Sequence, residues 1–316
     1  MKEQHNQWIK DLVIYGALFI VLLVVASILP AATLFIVALM PVPLTIFTYK
    51  YGYKRGLLMS GIVLVSTLLF AFTLFLISLP LAGLSIIVGL FVGEAMRKQK
   101  HPYETLAQGT LGYMVGFIIL VFVIENLMGV SLMTEYRVII QESLMQSEQL
   151  MQGTGIEVTA EMLDTIEQQM LIVLDLLPAI LLIGSFIFAL ILQWLSYKLV
   201  NSIHQEANFR FPPFYRLQLP KATIWLFLVV MVIDFIDFGP DAFMTIVLMN
   251  VLLVFGLLFS IQGLSFMFYY LQYKKQSKVL GIVLFVIGLV ILPVGLYVTR
   301  ILGIIDIGFM LRKRLK

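Results

Sequence analysis

Long apolar runs separated by short polar breaks recur from one end of this 316-residue chain to the other. Each approaches the roughly twenty residues an α-helix needs to cross a bilayer. The first covers 12–29 and closes at Pro30. The second, 31–47, follows at once and carries the kink signal MPVP at 40–43. Further spans are expected over 57–79, 81–96, 106–128, 170–194, 222–238 and 243–270. A ninth begins at Val279 and reaches about Pro293. The last segment, YVTRILGIIDIGFMLRKRLK, fits a short tenth span, a re-entrant piece or an interfacial helix. The fold class is therefore all-α, a polytopic integral membrane bundle of nine or ten spans. Residues 1–198 form a six-span bundle, 199–221 a cytoplasmic loop, and 222–316 the C-terminal membrane helices and basic tail.

One stretch breaks the pattern. Residues 131–169 alternate apolar and polar positions at helical spacing (Leu144, Leu150 and Met151, then Met162, Ile166 and Met170), divided by Gly153-Thr154-Gly155. Two amphipathic helices are expected, the second capped by Thr159. The stretch holds seven acids against the single base Arg137. It reads either as a solvated external loop or as a lid or partner-binding surface.

Charge orders the spans. The connections at 49–55, 97–104, 196–221 and 271–278 are all basic, whereas those at 30, 80 and 239–241 hold no lysine or arginine. The basic ones alternate along the chain, so the positive-inside rule places them and the N-terminus in the cytoplasm. The closing RKRLK puts the C-terminus there too, which favours an even number of crossings.

Composition agrees: 61% of residues are hydrophobic, 12% are charged, and mean hydropathy is +1.02. Cysteine is absent, which excludes disulfides, thiolate nucleophiles and cysteine metal sites. No Walker sequence, dinucleotide fingerprint, HExxH or GxSxG elbow occurs. His5, His101 and His204 sit in polar, cytoplasmic positions and form no expected metal set. No enzyme, cofactor or nucleic-acid role is indicated; the lipid bilayer is the one partner composition requires.

The candidate chemistry is carboxylate chemistry within the spans. DFIDFGPDAF places Asp234, Asp237 and Asp241 around Gly239-Pro240 at the outer end of the seventh span. The three share one face where the helix continues, although Gly239-Pro240 is expected to end it. Glu125, beside Asn126, lies near the outer end of the fifth span and Asp175 near the outer start of the sixth. Ionisable groups in hydrocarbon usually face a protein interior or a water-filled cavity. Asp234, Asp237, Glu125, Asp175 and Asn126 thus form a candidate outward-facing site for a cationic or amine-bearing solute, with Trp225 as an apolar contact. The competing reading is a solvated rim. Glu94 is expected to pair with Arg97 or Lys98. Asn250 and Gln262 are expected to join helices, and Gly109, Gly112 and Gly116, like Gly52 and Gly56, to allow close helix approach.

Three stretches carry a resemblance. FRFPPFYRLQLPKATIW at 209–225, SIQGLSFMFYYL at 260–271 and the closing LGIIDIGFMLRKRLK, through Gly303, Asp306 and Ile307, resemble the YybS (DUF2232) bacterial membrane family, found mainly in Firmicutes. Gly308, Phe309 and Met310 stand where the family pattern has a second acid and an aromatic. The resemblance implies an N-terminal six-helix region distantly similar to the S components of energy-coupling-factor vitamin transporters. Those depend on a membrane coupling protein and cytoplasmic ATPases, and dock through small residues of the first helix, here Gly16, Ala17 and Ala26. Two functions follow as expectations. One is a solute-binding, transport-associated protein; the other is a non-transporting scaffold for an envelope or signalling complex.

Overall fold

A computed structural model describes residues 2–71, 78–127, 129–153, 159–203, 207–239, 242–276 and 292–315. Among them six helices are long and apolar enough to cross a membrane, and the chain is an all-α polytopic membrane bundle. It divides into two compact units, one of residues 1–174 and 180–210 and the other of 175–179 and 211–316.

The first unit contains α1 (Lys2–Ile28), α2 (Pro30–Leu39), α3 (Val42–Tyr51), α4 (Tyr53–Ala71), α5 (Ser78–Arg97) and α6 (Pro102–Leu127). It continues with α7 (Leu132–Gly153), α8 (Ala160–Asp175) and α9 (Leu177–Ile203). α5 sits at the centre, against α1, α3, α4 and α6. It and α3 are buried on most sides, which is why both lack an amphipathic stripe. Helices approach closely where side chains are small. A Cβ on Gly116 would meet Leu84 at 2.7 Å, one on Gly112 the Val88 backbone at 3.3 Å, and one on Gly109 the Ala189 side chain at 3.1 Å. The expected close approach at Gly109, Gly112 and Gly116 is thus present, with α6 between α5 and α9.

Two prolines interrupt the early spans, and the carbonyls they orphan are satisfied locally. Pro30 has no N–H for the Ala26 carbonyl; the Thr33 hydroxyl donates to it at 2.8 Å. Pro41 likewise deprives Val37, and the fully buried Tyr113 donates its hydroxyl to the Val37 and Ala38 carbonyls at 3.2 Å each. In hydrocarbon such groups have no water to turn to, so a tyrosine from α6 fixes the α2–α3 kink.

Several boundaries differ from expectation. The sixth span begins at Leu177, not 170, because Pro178 in its first turn starts a new helix after α8. The 131–169 segment forms two helices as expected: Ser131 caps α7 through the Thr134 amide at 3.4 Å, and Thr159 caps α8 through Met162 at 3.3 Å. The Tyr136 hydroxyl donates to the Met170 carbonyl at 3.1 Å and ties the two together.

The second unit contains the 3-10 turn Phe214–Arg216, α10 (Ala222–Asp234), α11 (Phe243–Tyr273), α12 (Leu292–Phe309) and α13 (Leu311–Arg314). The seventh span is a 13-residue helix that stops at Asp234, four residues short of the expected end. Most of the expected ninth span lies outside the described residues. The segment left open between span, re-entrant piece and interfacial helix, 297–316, falls on the 18-residue α12, which begins at Leu292 and packs along α11, and on the short α13. Gly256 meets Arg300, Gly263 meets Thr299 and Gly303, and Tyr269 meets Arg312. Contacts that advance together along both chains mean that α11 and α12 run parallel. Backbone touches backbone at their crossing: a Cβ on Gly263 would strike the Thr299 carbonyl, and one on Gly303 that of Phe259.

Candidate functional site

Asp234 and Asp237 come together. α10 unwinds after Asp234, and the Asp237 carboxylate accepts the Gly239 amide at 2.9 Å, an Asx turn that needs no helix. Gly239 has φ +90°, where a side chain is disfavoured, and its carbonyl accepts the Thr245 hydroxyl at 2.7 Å. The reversal folds the loop over the start of α11 and encloses a cavity of about 420 Å³. Asp234, Asp237, Phe235, Phe238, Thr245 and Leu248 line it, and no described lining residue is basic. Both carboxylates are exposed. The three-acid helical face is therefore replaced by a two-acid turn; Asp241 lies outside the described residues. Trp225 is 69% exposed and does not line the cavity.

Asp175 belongs to the same unit. Asn250, half a turn beyond the cavity-lining Leu248, donates to the Asp175 carbonyl at 2.6 Å and accepts the Ala179 amide at 2.8 Å. The amide thus joins the Asp175–Ala179 segment to α11, the helix-joining role expected of it. Glu125 and Asn126 belong to the first unit, near the end of α6, and both are exposed. The Asn126 side chain donates to the Phe122 carbonyl of its own helix at 2.9 Å. In the same unit Glu94 pairs with Lys98 at 3.3 Å, as expected.

The buried charges among the described residues are elsewhere. Asp306, fully buried on α12, accepts Arg312 Nε at 2.9 Å and Gln262 Nε2 at 2.6 Å through Oδ2. Arg312 is only 7% exposed. It also donates to the Tyr215 carbonyl at 2.8 Å and the Ser265 hydroxyl at 3.1 Å, and its guanidinium lies 5.3 Å from the Tyr269 ring centroid. Ser265 donates to the Phe214 and Leu217 carbonyls, and Gln262 Oε1 accepts the Leu219 amide at 2.9 Å. The backbone allows this because Met310 takes a left-handed conformation, φ +49°, and turns the chain so that Arg312 points back at α12.

Read from sequence, Arg312 is one charge of a solvated tail. In the structure it is the centre of a network that joins the 209–225 loop, the middle of α11 and the end of α12. Those are the three stretches that carry the family resemblance. Nothing in the spacing of six residues between Asp306 and Arg312 announces a pair, since a continuous helix would put them on different faces. Arg300 is a second unforeseen cation. Its guanidinium rests on the bare backbone of Gly256, 2.5 Å from where a Cβ would stand, and its buried Nε has no partner among the described residues.

No group of three or more metal-ligating side chains occurs among the described residues. The network is fully engaged in holding the unit together except at Asp306 Oδ1. The Asp234–Asp237 cavity, by contrast, has accessible carboxylates and Phe235 and Phe238 in its lining.

Comparison with known proteins fits this architecture. Residues 17–307 match the family described as "Predicted membrane protein (DUF2232)". The chain is 26% identical to "Uncharacterized protein YybS" of Bacillus subtilis (strain 168), over 99% of this chain and all of that one. No solved structure matches. A single family thus accounts for nearly the whole chain, both compact units included, and the protein belongs to the DUF2232 family of membrane proteins.

Proposed function

We propose that this protein is a solute-binding, transport-associated membrane protein that takes a cationic or amine-bearing small solute at the Asp234–Asp237 turn. The observation that carries the reading is the cavity itself. Two carboxylates and the rings of Phe235 and Phe238 face a space of about 420 Å³, with no described basic side chain lining it. Carboxylates satisfy an ammonium by charge-assisted hydrogen bonds, and aromatic faces attract the same cation. Asp175, tied to α11 by Asn250 half a turn from the cavity wall, adds negative charge at that end of the helix. Binding of this kind orients and retains a solute without making or breaking bonds.

The chain carries no ATP-binding motif, so ATP-driven uptake through it would draw on partners. The reading extends to the binding component of a multi-subunit importer, with a membrane coupling protein and cytoplasmic ATPases. Gly16 and Ala17 on α1 are open for such docking, whereas Ala26 is packed inside the first unit.

Purification from native membranes, with mass spectrometry of co-purifying small molecules and proteins, tests this. Wild-type protein is expected to carry an amine-bearing metabolite that Asp234→Asn loses while still eluting as a folded, monodisperse species. Equal recovery from the variant would remove the site.

A scaffold reading is favoured by a separate observation. α7 and α8 expose Met145, Leu150, Met162 and Ile166 among their acids, with Leu150 74% exposed. An apolar stripe of that kind fits a partner helix. Recovery of envelope or signalling proteins, with no small molecule and no ATPase, supports it instead. Deletion of 135–168 would then abolish the association.

A further inference from the structure

We propose that the first unit contains a second site, of opposite charge: a cavity that binds a phosphate-bearing anion. It is larger than the acidic one, about 800 Å³, and opens where α3 and α5 end, α6 begins and α9 finishes. Lys50, Arg97, Lys100 and Arg210 line it, and no described lining residue is acidic. The sequence gives these four only a topological meaning as cytoplasmic loop charges, but the fold gathers them around one space.

The four are not equivalent. Lys50 pairs with Asp11 at 2.5 Å, and Tyr51 donates to the same carboxylate at 2.6 Å. Lys100 pairs with Glu104 at 2.5 Å. Arg97 and Arg210 have no ion-pair or hydrogen-bond partner for their guanidinium groups among the described residues. The uncompensated charge of the cavity therefore resides in two arginines, the side chain best shaped for bidentate contact with phosphate.

Both arginines are held by constructed features. The Arg97 guanidinium lies over Gly52, which has φ +86°, in space that any side chain at 52 would occupy. Arg210 follows Phe209, whose backbone is fixed by Asn201: the amide side chain accepts the Phe209 N–H at 3.0 Å and donates to its carbonyl at 2.8 Å. The Phe209 ring stacks on Tyr197 at 5.0 Å and meets the edge of Tyr49 at 5.5 Å. Tyr197 is steadied in turn by Gln193, which donates to its hydroxyl at 2.7 Å and to the Pro102 carbonyl at 2.9 Å. An irregular segment after a membrane helix is thus locked at a single residue by two hydrogen bonds and two ring contacts. The residue so locked is the one that delivers Arg210 to the cavity.

The surroundings suit a phosphate. Arg55, at the start of α4, lies 5.3 Å from the Trp8 ring, and Lys198, near the end of α9, lies 5.3 Å from the Trp194 ring. Trp with Lys or Arg beside it marks the level of the lipid headgroups. The phosphate is then either that of an anionic phospholipid headgroup or that of a water-soluble phosphoester, and the two differ in what must be added to fill the site.

The test uses the full-length protein in two arms. In one, it is reconstituted into phosphatidylcholine nanodiscs with and without phosphatidylglycerol, and retained lipid is counted by native mass spectrometry. In the other, detergent-solubilised protein is titrated calorimetrically with inorganic pyrophosphate. Arg97→Gln and Arg210→Gln are compared with Lys54→Gln and Lys274→Gln, which remove the same charge outside the cavity. Binding in the first arm alone assigns a lipid, and in the second alone a soluble phosphoester; either supports the site. Each cavity variant is expected to weaken binding about tenfold, the worth of one charge-assisted contact, with the outside variants near wild type. Arg210→Gln, on an exposed segment, keeps the comparison standing if Arg97→Gln fails to fold. The proposal is overturned if neither probe binds, or if the outside variants lose as much as the cavity variants.

Discussion

Asp306 and Arg312 show how a charge changes meaning on folding. A carboxylate that is fully buried inside a helix pair costs several kcal/mol of desolvation, and the structure offsets this with one guanidinium and one amide. Removing one partner leaves the other buried and unpaired. Arg312→Gln or Asp306→Leu is expected to lower stability by about 3–5 kcal/mol, read as a fall in unfolding temperature in detergent. The double change Asp306→Leu/Arg312→Met should recover part of that loss; a double variant worse than either single would contradict the pairing. Sequence marked the acid only as part of the closing stretch that resembles the family, with Gly303 and Ile307. It hid the arginine, because the pairing depends on a left-handed backbone at Met310, a residue type that gives no warning of one. Gly263 is similar. Its Cβ would enter the Thr299 carbonyl, so Gly263→Ala must separate α11 from α12 and is expected to destabilise about as much as a moderate core over-packing, 1–3 kcal/mol.

At the scale of elements, the long spans were legible and their ends were not. Hydropathy identifies α5, α6 and α11 to within a few residues because each apolar run fills one helix, whereas α1 begins at Lys2, well before its apolar run. α10 ended early because Asp237 turns its carboxylate onto the Gly239 amide, and that local bond competes with helix continuation. The ninth expected span lies mostly outside the described residues and adds nothing here. The turn at 235–239 has a consequence for binding. Gly239→Ala places a Cβ in a positive-φ position at a cost of about 1–2 kcal/mol, and relaxation there re-aims Asp237. Retention of the co-purifying amine should drop in Gly239→Ala, with the unfolding temperature lowered by only a few degrees. A variant that retains the amine at wild-type level would show that the turn does not shape the site. The α7–α8 pair was legible as two amphipathic helices from spacing and caps, whereas its partner was not, since an exposed stripe names a shape and not an occupant.

Over the whole molecule, charge and packing make one joint statement about topology. α11 and α12 run parallel, so the Tyr273 end of one and the Phe309 end of the other lie together. Loop charge independently gives the expectation that both ends face the cytoplasm, since Lys274 and Lys275 follow α11 and Arg312, Lys313 and Arg314 follow α12. The absence of cysteine makes the test direct, because any thiol introduced is the only one present. Single cysteines at Lys54, Gln99, Lys275 and Lys313 are expected to resist a membrane-impermeant maleimide in intact cells and to react once the membrane is opened. Ser147→Cys, in the acidic α7, is expected to react in intact cells. If Lys275→Cys and Lys313→Cys label from opposite sides, the parallel packing of α11 and α12 is wrong. If they agree with each other but react from outside, the packing stands and the charge rule fails for this chain. In that case the acidic turn at Asp234 and Asp237, at the opposite end of α11 from Lys275, would open to the cytoplasm, and its solute would have to be met there.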